Sequence, residues 1–526
     1  MELEPGVDDT RFLLFAGGTR LVCMDCIDEN VERPAQLMSA QVARRPAKAH
    51  RPLPVRCDLG CGARKLAQPL QSREIFAQEL GLEQALLLCE PALELLNQAH
   101  DVTIDIATRG IVVHASDGGA ARELGVSSFG SRSNRPHSWL APLFVGHAIY
   151  RQAAYGSNHP LAIPRVESVM DLCSALGWLG ESEFRESPRA SVDQLAWFHA
   201  PEYVQALKHA SETGRVDFDV RRRYAIGTME NPVFPGVFER AATSVGGSIL
   251  AAELALEGRV VFHPAGGTHH GRPDRASGFC YFNDPVFAAL ALLKAGVERV
   301  VYIDLDAHHG DGVQDAFVRD ERVRTLSLHE QGRWPYSGEV SDTGAGRACN
   351  LPVPARINDS ELRVLLEEVV LPLARMAAPQ ALVVTCGADA LDGDPLSSMQ
   401  LSNVALWSAV ERLAALAPAT VVLGGGGYNP WTLARYWSGL WGRLSGREIP
   451  RELPADALAI LRGLRCDLID DEDIRPEWLA TLADRPNRGA ARDEIRTLVN
   501  LALAEVDQSA WTPLSDRASR QAVATT

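Results

Sequence analysis

Between about Leu140 and Leu444, short apolar runs alternate with amphipathic stretches, and this alternation leaves few folds open. The strand-like runs fall at residues 260–262, 299–305, 323–328, 381–385 and 420–423, with helical patterns at 285–295, 361–376 and 404–416 between them. Strands that are apolar on both sides and separated by helices predict an α/β fold, a doubly wound, mainly parallel sheet with helices on both faces. In such sheets ligands bind beyond the carboxyl ends of the strands. Polar residues cluster at those ends: Asp304-Leu-Asp306-Ala-His308-His309-Gly-Asp311-Gly, Gly387-Ala388-Asp389, and Gly424-Gly-Gly-Gly427-Tyr428. A further cluster, Gly-Gly-Thr-His269-His270-Gly, follows the run at 260–262.

These clusters contain what a hydrolytic metal site needs. Asp306 and His308 are two residues apart at a strand end, so both side chains can face one side. With Asp389 from another strand they make three protein ligands, which leaves a coordination position open, as a catalytic zinc requires. An Asp at a strand end can also cap the helix that follows, but capping gives the neighbouring histidines no role. His269 and His270, adjacent on a glycine-flanked loop, suit general acid–base work, with Asp304 and Asp311 available to orient their second ring nitrogens. Tyr428 can donate a hydrogen bond to a developing oxyanion. A phosphate-binding loop is the other reading of the glycines, but no Lys-Ser/Thr follows them.

The segments HPLAIPR (159–165), GTMENPVFPGVFE (227–239), GGTHHG (266–271) with ASGFCYFND (276–284), VYIDLDAHHGDGVQDAF (301–317), GADALDGDP (387–395) and GGGGYN (424–429) resemble the zinc-dependent histone deacetylases, class I-like, and their bacterial relatives, the acetoin-utilization deacetylases. The resemblance implies an arginase-like fold and hydrolysis of an N-acetyl or other short acyl amide, most readily acetyl-lysine in a protein or peptide. By position it implies zinc on Asp306, His308 and Asp389. It makes His269 and His270 the tandem catalytic histidines, backed by Asp304 and Asp311, and Tyr428 the catalytic tyrosine. Gly278 and Phe279, with Trp334 opposite in place of a usual Phe, match the acyl-lysine tunnel. Glu230 stands where class I enzymes have an Asp that grips the substrate backbone, and Leu396 where some polyamine deacetylases carry a Glu. Arg165 matches an arginine of an internal exit channel. A structural potassium site would use Asp304, Asp306, His308, Ser327 and Leu328. A second would include Phe317 and Val323, with Asp320 where a Thr or Ser is usual.

Rival readings are an acetylpolyamine amidohydrolase, a binuclear manganese ureohydrolase of the same fold, and a non-catalytic acyl-lysine-binding scaffold. The ureohydrolase needs more Asp and His ligands than one set, and the scaffold has no need of Tyr428 and both histidines.

At 526 residues the chain exceeds what one core sustains, so appended segments are expected around a catalytic domain at 140–445. Residues 1–126 form an N-terminal α+β extension with a helix at 74–88 and a hairpin with arms at 102–107 and 111–114, Gly110 at its turn. Within it Cys23, Cys26, Cys57 and Cys61 have spacing that permits a second, structural zinc, or they are four unpaired thiols. Residues 127–139 read as a linker, and 446–526 as a helical, charged, solvated extension disordered at its end. The net charge of −15 argues against direct nucleic-acid binding. No apolar run is long enough to span a membrane, and the acidic start is not a secretory signal. The ten scattered cysteines fit a reducing cytoplasm.

Overall fold

The computed structural model describes residues 140–512 except 153, 157 and 158, and the backbone of eight strands between Phe12 and Leu124. The chain divides into two compact units, residues 1–132 and 133–526. In the first, Phe12–Leu14 pairs antiparallel with Leu21–Cys23, and a six-stranded antiparallel sheet has Asp101–Ala107 near its middle. That strand pairs with Gly110–Ser116, giving the expected hairpin, but Ala107 lies opposite Gly110. Gly110 therefore opens the second arm and is not a turn residue. The helix expected at 74–88 and the linker at 127–139 lie outside the described residues.

The second unit is built on one eight-stranded parallel sheet. In chain order its strands are β1 (Leu143–Gly146), β2 (Phe184–Glu186), β3 (Val260–His263), β4 (Val300–Asp304), β5 (Val323–Glu330), β6 (Ala348–Val353), β7 (Ala381–Thr385) and β8 (Ala419–Leu423). They lie in the order β2-β1-β3-β8-β7-β4-β5-β6. The five expected strands are present within two residues at each end. β1, β2 and β6 were not expected. β6 reads ACNLPV, and its Asn350 and Pro352 break the apolar run. Its place at the sheet edge tolerates the proline.

Alternation along each strand sorts side chains into two cores, one per face. On β4, Val301 and Ile303 enter one core while Val300 and Tyr302 enter the other. The first core is covered by α1 (Val166–Ala175), α5 (Asn403–Ala414), α6 (Pro430–Leu444) and α7 (Asp493–Glu505). The second is covered by α2 (Val237–Ala255), α3 (Asp284–Lys294) and α4 (Asp311–Phe317). The helix expected at 361–376 runs from Asp359 to Met376 but carries a π turn at Leu366–Val370. Pro372, which lacks an N–H, follows immediately.

Residues 446–512 correct the sequence reading. They are not a solvated extension: Leu461, Trp478, Leu482, Ile495, Val499 and Trp511 are buried in the first core. Arg435 on α6, itself buried, pairs with Asp484 at 2.6 Å and donates to the Thr481 carbonyl at 2.6 Å. Charged residues are interspersed through this segment, and the buried positions are spaced too irregularly among them to stand out.

Candidate active site

β4 ends at Asp304, and the chain turns through Asp306 and His308 before α4 begins. β7 ends at Thr385, and a short 3-10 turn presents Asp389 beside them. Asp306 and Asp389 are fully buried and His308 nearly so. His308 Nδ1 lies 3.2 Å from Asp306 Oδ1 and 2.9 Å from Asp389 Oδ2, and one donor atom from each of the three falls within 4.8 Å of the others. Burial raises the Asp389 carboxyl, and the Asp306 charge raises it further. Burial opposes the Asp306 charge, but His269, His308 and the Gly426 N–H prevail and hold it below the usual carboxylate range. Two buried carboxylates converging on one imidazole nitrogen form a donor set suited to a divalent cation. The surroundings fit such an ion: a Cβ on Gly426 would collide with the Asp389 carboxylate, and one on Gly387 with that of Asp306. Glycine at these positions lets the backbone close around the carboxylates, and Gly426 N–H donates to Asp306 Oδ2 at 2.6 Å.

The two histidines stand side by side, ring centroids 3.9 Å apart. His269 Nδ1 bonds Asp304 Oδ2 at 2.7 Å, and His270 Nδ1 bonds Asp311 Oδ1 at 2.7 Å. Their environments diverge. Burial disfavours charge on His269, but Asp304 and Asp306 outweigh it and lift its pKa to about 9. Burial and then repulsion from His269 lower His270 to about 3. His308 is raised to about 10, because Asp306 and Asp389 overcome burial. A proton and a metal ion would compete for its Nδ1.

A cavity of about 430 Å³ opens above this cluster, lined by His270, His308 and Tyr428 at depth and by Gly278, Phe279, Trp334, Glu230 and Leu396 among others. Phe279 meets Tyr428 edge to face at 5.9 Å, and Trp334 meets His270 at 4.5 Å. Gly278 has φ +54°, and a Cβ there would strike the Trp334 and His270 rings. Phe279 takes the left-handed conformation too, at φ +66°, a strained backbone of the kind that collects at functional sites. Burial and the nearby carboxylates raise Tyr428 well above an ordinary phenol, so it keeps its proton.

The structure places the remaining sequence-selected residues as follows. Glu230 lies at the cavity, but its Oε1 already accepts the Gly278 N–H at 2.8 Å. Arg165 is away from the main cavity. It lines a second cavity of about 100 Å³, donates to the Gly425 carbonyl and stacks on Trp437 at 5.2 Å. The strand register sets Asp304 opposite Ser327, with Leu328 next along β5. Ser327 Oγ bonds His329 at 2.9 Å. Phe317 and Val323 flank the α4–β5 connection, where Asp320 is engaged by Arg322 Nε at 3.0 Å and Nη2 at 2.7 Å. Of the four N-terminal cysteines, Cys26 and Cys61 lie outside the described residues. Cys23 ends one strand and Cys57 lies within another, with no description of their side chains.

Several residues of the site escaped sequence reasoning. Asp284 accepts from Gly267 N, Thr268 N and Ser248 Oγ, and so fixes the histidine loop. Tyr302 donates to Asp304 at 2.5 Å. Arg272 pairs with Asp311. Asp394 accepts the N–H groups of Tyr428 at 2.7 Å and Asn429 at 3.3 Å. Glu330 lines the cavity bound to Arg333. Asp284, Tyr302 and Asp394 had a signal available, since each lies in a segment singled out above, within FND, VYID and DGDP.

A parallel sheet carrying this acid–imidazole set at its strand ends defines a hydrolase of the arginase-like fold. Comparison with known proteins is more specific. The chain belongs to the histone deacetylase family, since the histone deacetylase domain model matches residues 159–444. It is 34% identical to histone deacetylase 8 of Xenopus tropicalis over 324 residues, 60% of this chain and 87% of that one. It is also 34% identical to human histone deacetylase 1 over 308 residues, 57% of this chain and 64% of that one. A crystal structure of an HDAC homolog from Aquifex aeolicus is 37% identical and superposes with TM-score 0.67 over 69% of this chain and all of its own. An HDAC homolog complexed with SAHA is 36% identical, also with TM-score 0.67. Among the described residues no helix is long and apolar enough to cross a membrane.

Proposed function

We propose that this chain removes acetyl or another short acyl group from protein lysine, using a zinc ion held by Asp306, His308 and Asp389. Zinc bound there would polarise the acyl carbonyl and make water more acidic. The chain's own groups supply the rest. The apolar slot between Phe279 and Trp334 takes the lysine methylenes, each worth about 0.8 kcal/mol when buried. His270, held neutral by burial and by its neighbour, is fitted to accept the proton of the attacking water. His269, held protonated by Asp304, stabilises charge beside it. Their different carboxylate partners, Asp304 and Asp311, suit the two histidines to different parts in moving protons. Tyr428, still protonated, donates to the carbonyl oxygen as it becomes an oxyanion. A histidine then returns a proton to the leaving amine.

The observation that carries this reading is that one cavity holds His308 of the donor set, His270 and Tyr428, with an apolar mouth above them. Protein lysine is favoured over a polyamine because Leu396 offers no carboxylate and the cavity's Glu330 is neutralised by Arg333 at 2.6 and 2.9 Å. The reading extends to a structural potassium ion near Asp304 and Ser327, and to a separate zinc on the four N-terminal cysteines. We assign the activity to residues 140–445. The test is metal analysis with turnover of acyl-lysine peptides and acetylated polyamines, in wild type and Tyr428→Phe. The variant is expected to keep zinc and lose on the order of 10²–10³ in turnover. Near-normal turnover removes Tyr428 from the mechanism, and faster turnover of acetylpolyamines than of every peptide replaces the lysine substrate.

A further inference from the structure

The loop 331–341 walls two cavities. One face lines the catalytic cavity through Gln331, Trp334 and Tyr336. The other, again through Gln331 and then Glu339 and Val340, lines a larger groove of about 700 Å³. The far wall of that groove is α7, which lies beyond the residues 159–444 that the family model matches. Glu494, Leu498, Leu501 and Glu505 recur along α7 at helical spacing and share the face turned to the groove. The floor is apolar, with Pro354 and Leu498, and Leu501 is half exposed. The polar rim carries four carboxylates, Glu339, Asp493, Glu494 and Glu505, and the groove-lining residues include no Lys or Arg. Among the described residues none of these four has an ion pair.

We propose that this groove binds a Lys- or Arg-bearing stretch of the substrate protein flanking the acyl-lysine, a proposal that rests on the protein-lysine reading above. Two features select this occupant. Gln331 lines both the catalytic cavity and the groove, so the two are neighbours and one bound peptide can reach both. Its makeup, an apolar floor beneath unpaired carboxylates, matches a long basic side chain, whose methylene stem covers apolar surface while its charged head stays at the wet rim. Rim charges of this kind act on encounter and on KM, and salt weakens them. The groove thus sets which lysines are reached, while the chemistry stays in the cavity beside it.

The test compares an acetyl-lysine peptide with Arg and Lys in its flanks, the same peptide with Ala and Ser there, and a minimal acetyl-lysine amide. Wild type is set against a Glu339→Gln, Glu494→Gln, Glu505→Gln triple variant. Wild type should favour the basic peptide by about tenfold in kcat/KM, through KM, as a few exposed ion pairs allow. The advantage should fade between about 50 and 500 mM salt and largely vanish in the variant. The minimal amide, which cannot reach the groove, should be hydrolysed equally by both proteins and reports that the variant is folded. Equal wild-type rates on the two peptides would overturn the proposal. So would an advantage that survives in the variant, or a wild-type-to-variant difference confined to acetylpolyamines. If wild type hydrolyses no acetyl-lysine compound, it is the proposed function that fails. The groove is then judged by fluorescence anisotropy of a labelled Arg/Lys peptide: weaker binding to the variant supports it, and equal binding overturns it.

Discussion

Asp394 is the residue whose removal most directly tests how the tyrosine is held. Its Oδ2 accepts from Tyr428 N at 2.7 Å and Asn429 N at 3.3 Å, and its Oδ1 from Leu396 N at 2.9 Å. Asp394 is buried, as are Tyr428 and Asn429. In Asp394→Ala the two buried N–H groups lose their acceptor at about 1–3 kcal/mol each, so roughly 2–6 kcal/mol is at stake. Part of that would appear as lost stability. The rest would be relieved by the 427–429 backbone shifting, and a shift near 1 Å at a reacting group costs about 10²-fold. Asp394→Asn keeps one acceptor oxygen and should show a smaller loss on both counts. The assay is urea unfolding followed by tryptophan fluorescence, with kcat and KM on an acetyl-lysine peptide and zinc content as a control. The expected result is a lower unfolding midpoint and a kcat reduced about 10²-fold, with KM and zinc near wild type. Wild-type midpoint and kcat in Asp394→Ala would refute the reasoning. A rise in KM alone would mean that Asp394 acts through Leu396 at the cavity rim and not through Tyr428.

Three further outcomes are expected. Asp306→Ala should lose tight zinc binding and turnover together, and stoichiometric zinc with normal turnover would remove it from the donor set. Trp511→Ala should cost about 3–5 kcal/mol in urea unfolding, the usual cost of deleting a buried Trp. A loose C-terminal extension would show no change. Glu230→Ala removes the acceptor of the Gly278 N–H as well as a carboxylate at the rim, so kcat/KM should fall several-fold for peptides and less for the minimal amide. Equal losses on both would mean that Glu230 only supports the Gly278–Phe279 loop.

The parts of this protein most legible in sequence are those where backbone period and chemistry coincide. β4 shows both: an apolar run at strand spacing closes on Asp304, Asp306 and His308. The residues lining the cavity at depth, His270, His308 and Tyr428, could be grouped from sequence because each comes soon after a strand end. β6 was not legible, because an edge strand can carry Asn350 and Pro352 that no central strand would. The packing of 446–512 was hidden for another reason. Two of its buried residues, Trp478 and Trp511, follow no helical or strand period, and partners such as Trp431, which stacks on Trp478, lie far away in the chain. Glu230 shows the limit of matching by position. The residue is at the cavity, yet one oxygen is spent on Gly278, a commitment that spacing cannot reveal.

The strand order has a consequence for how the chain is made. β8 sits between β3 and β7, and it pairs with both: Val260 with Thr420 on one side, Ala381 with Ala419 on the other. During synthesis β3 is complete long before β8 exists. Until Ala419–Leu423 emerges, the nascent sheet is two fragments, β1–β3 and β4–β7, each with an unpaired apolar edge at what will become the centre of the protein. Open edges of that kind invite pairing with other chains. The ribosome-bound intermediate is therefore the vulnerable form of this protein. Heat or crowding should lower the yield of new chains at temperatures where finished molecules are still intact.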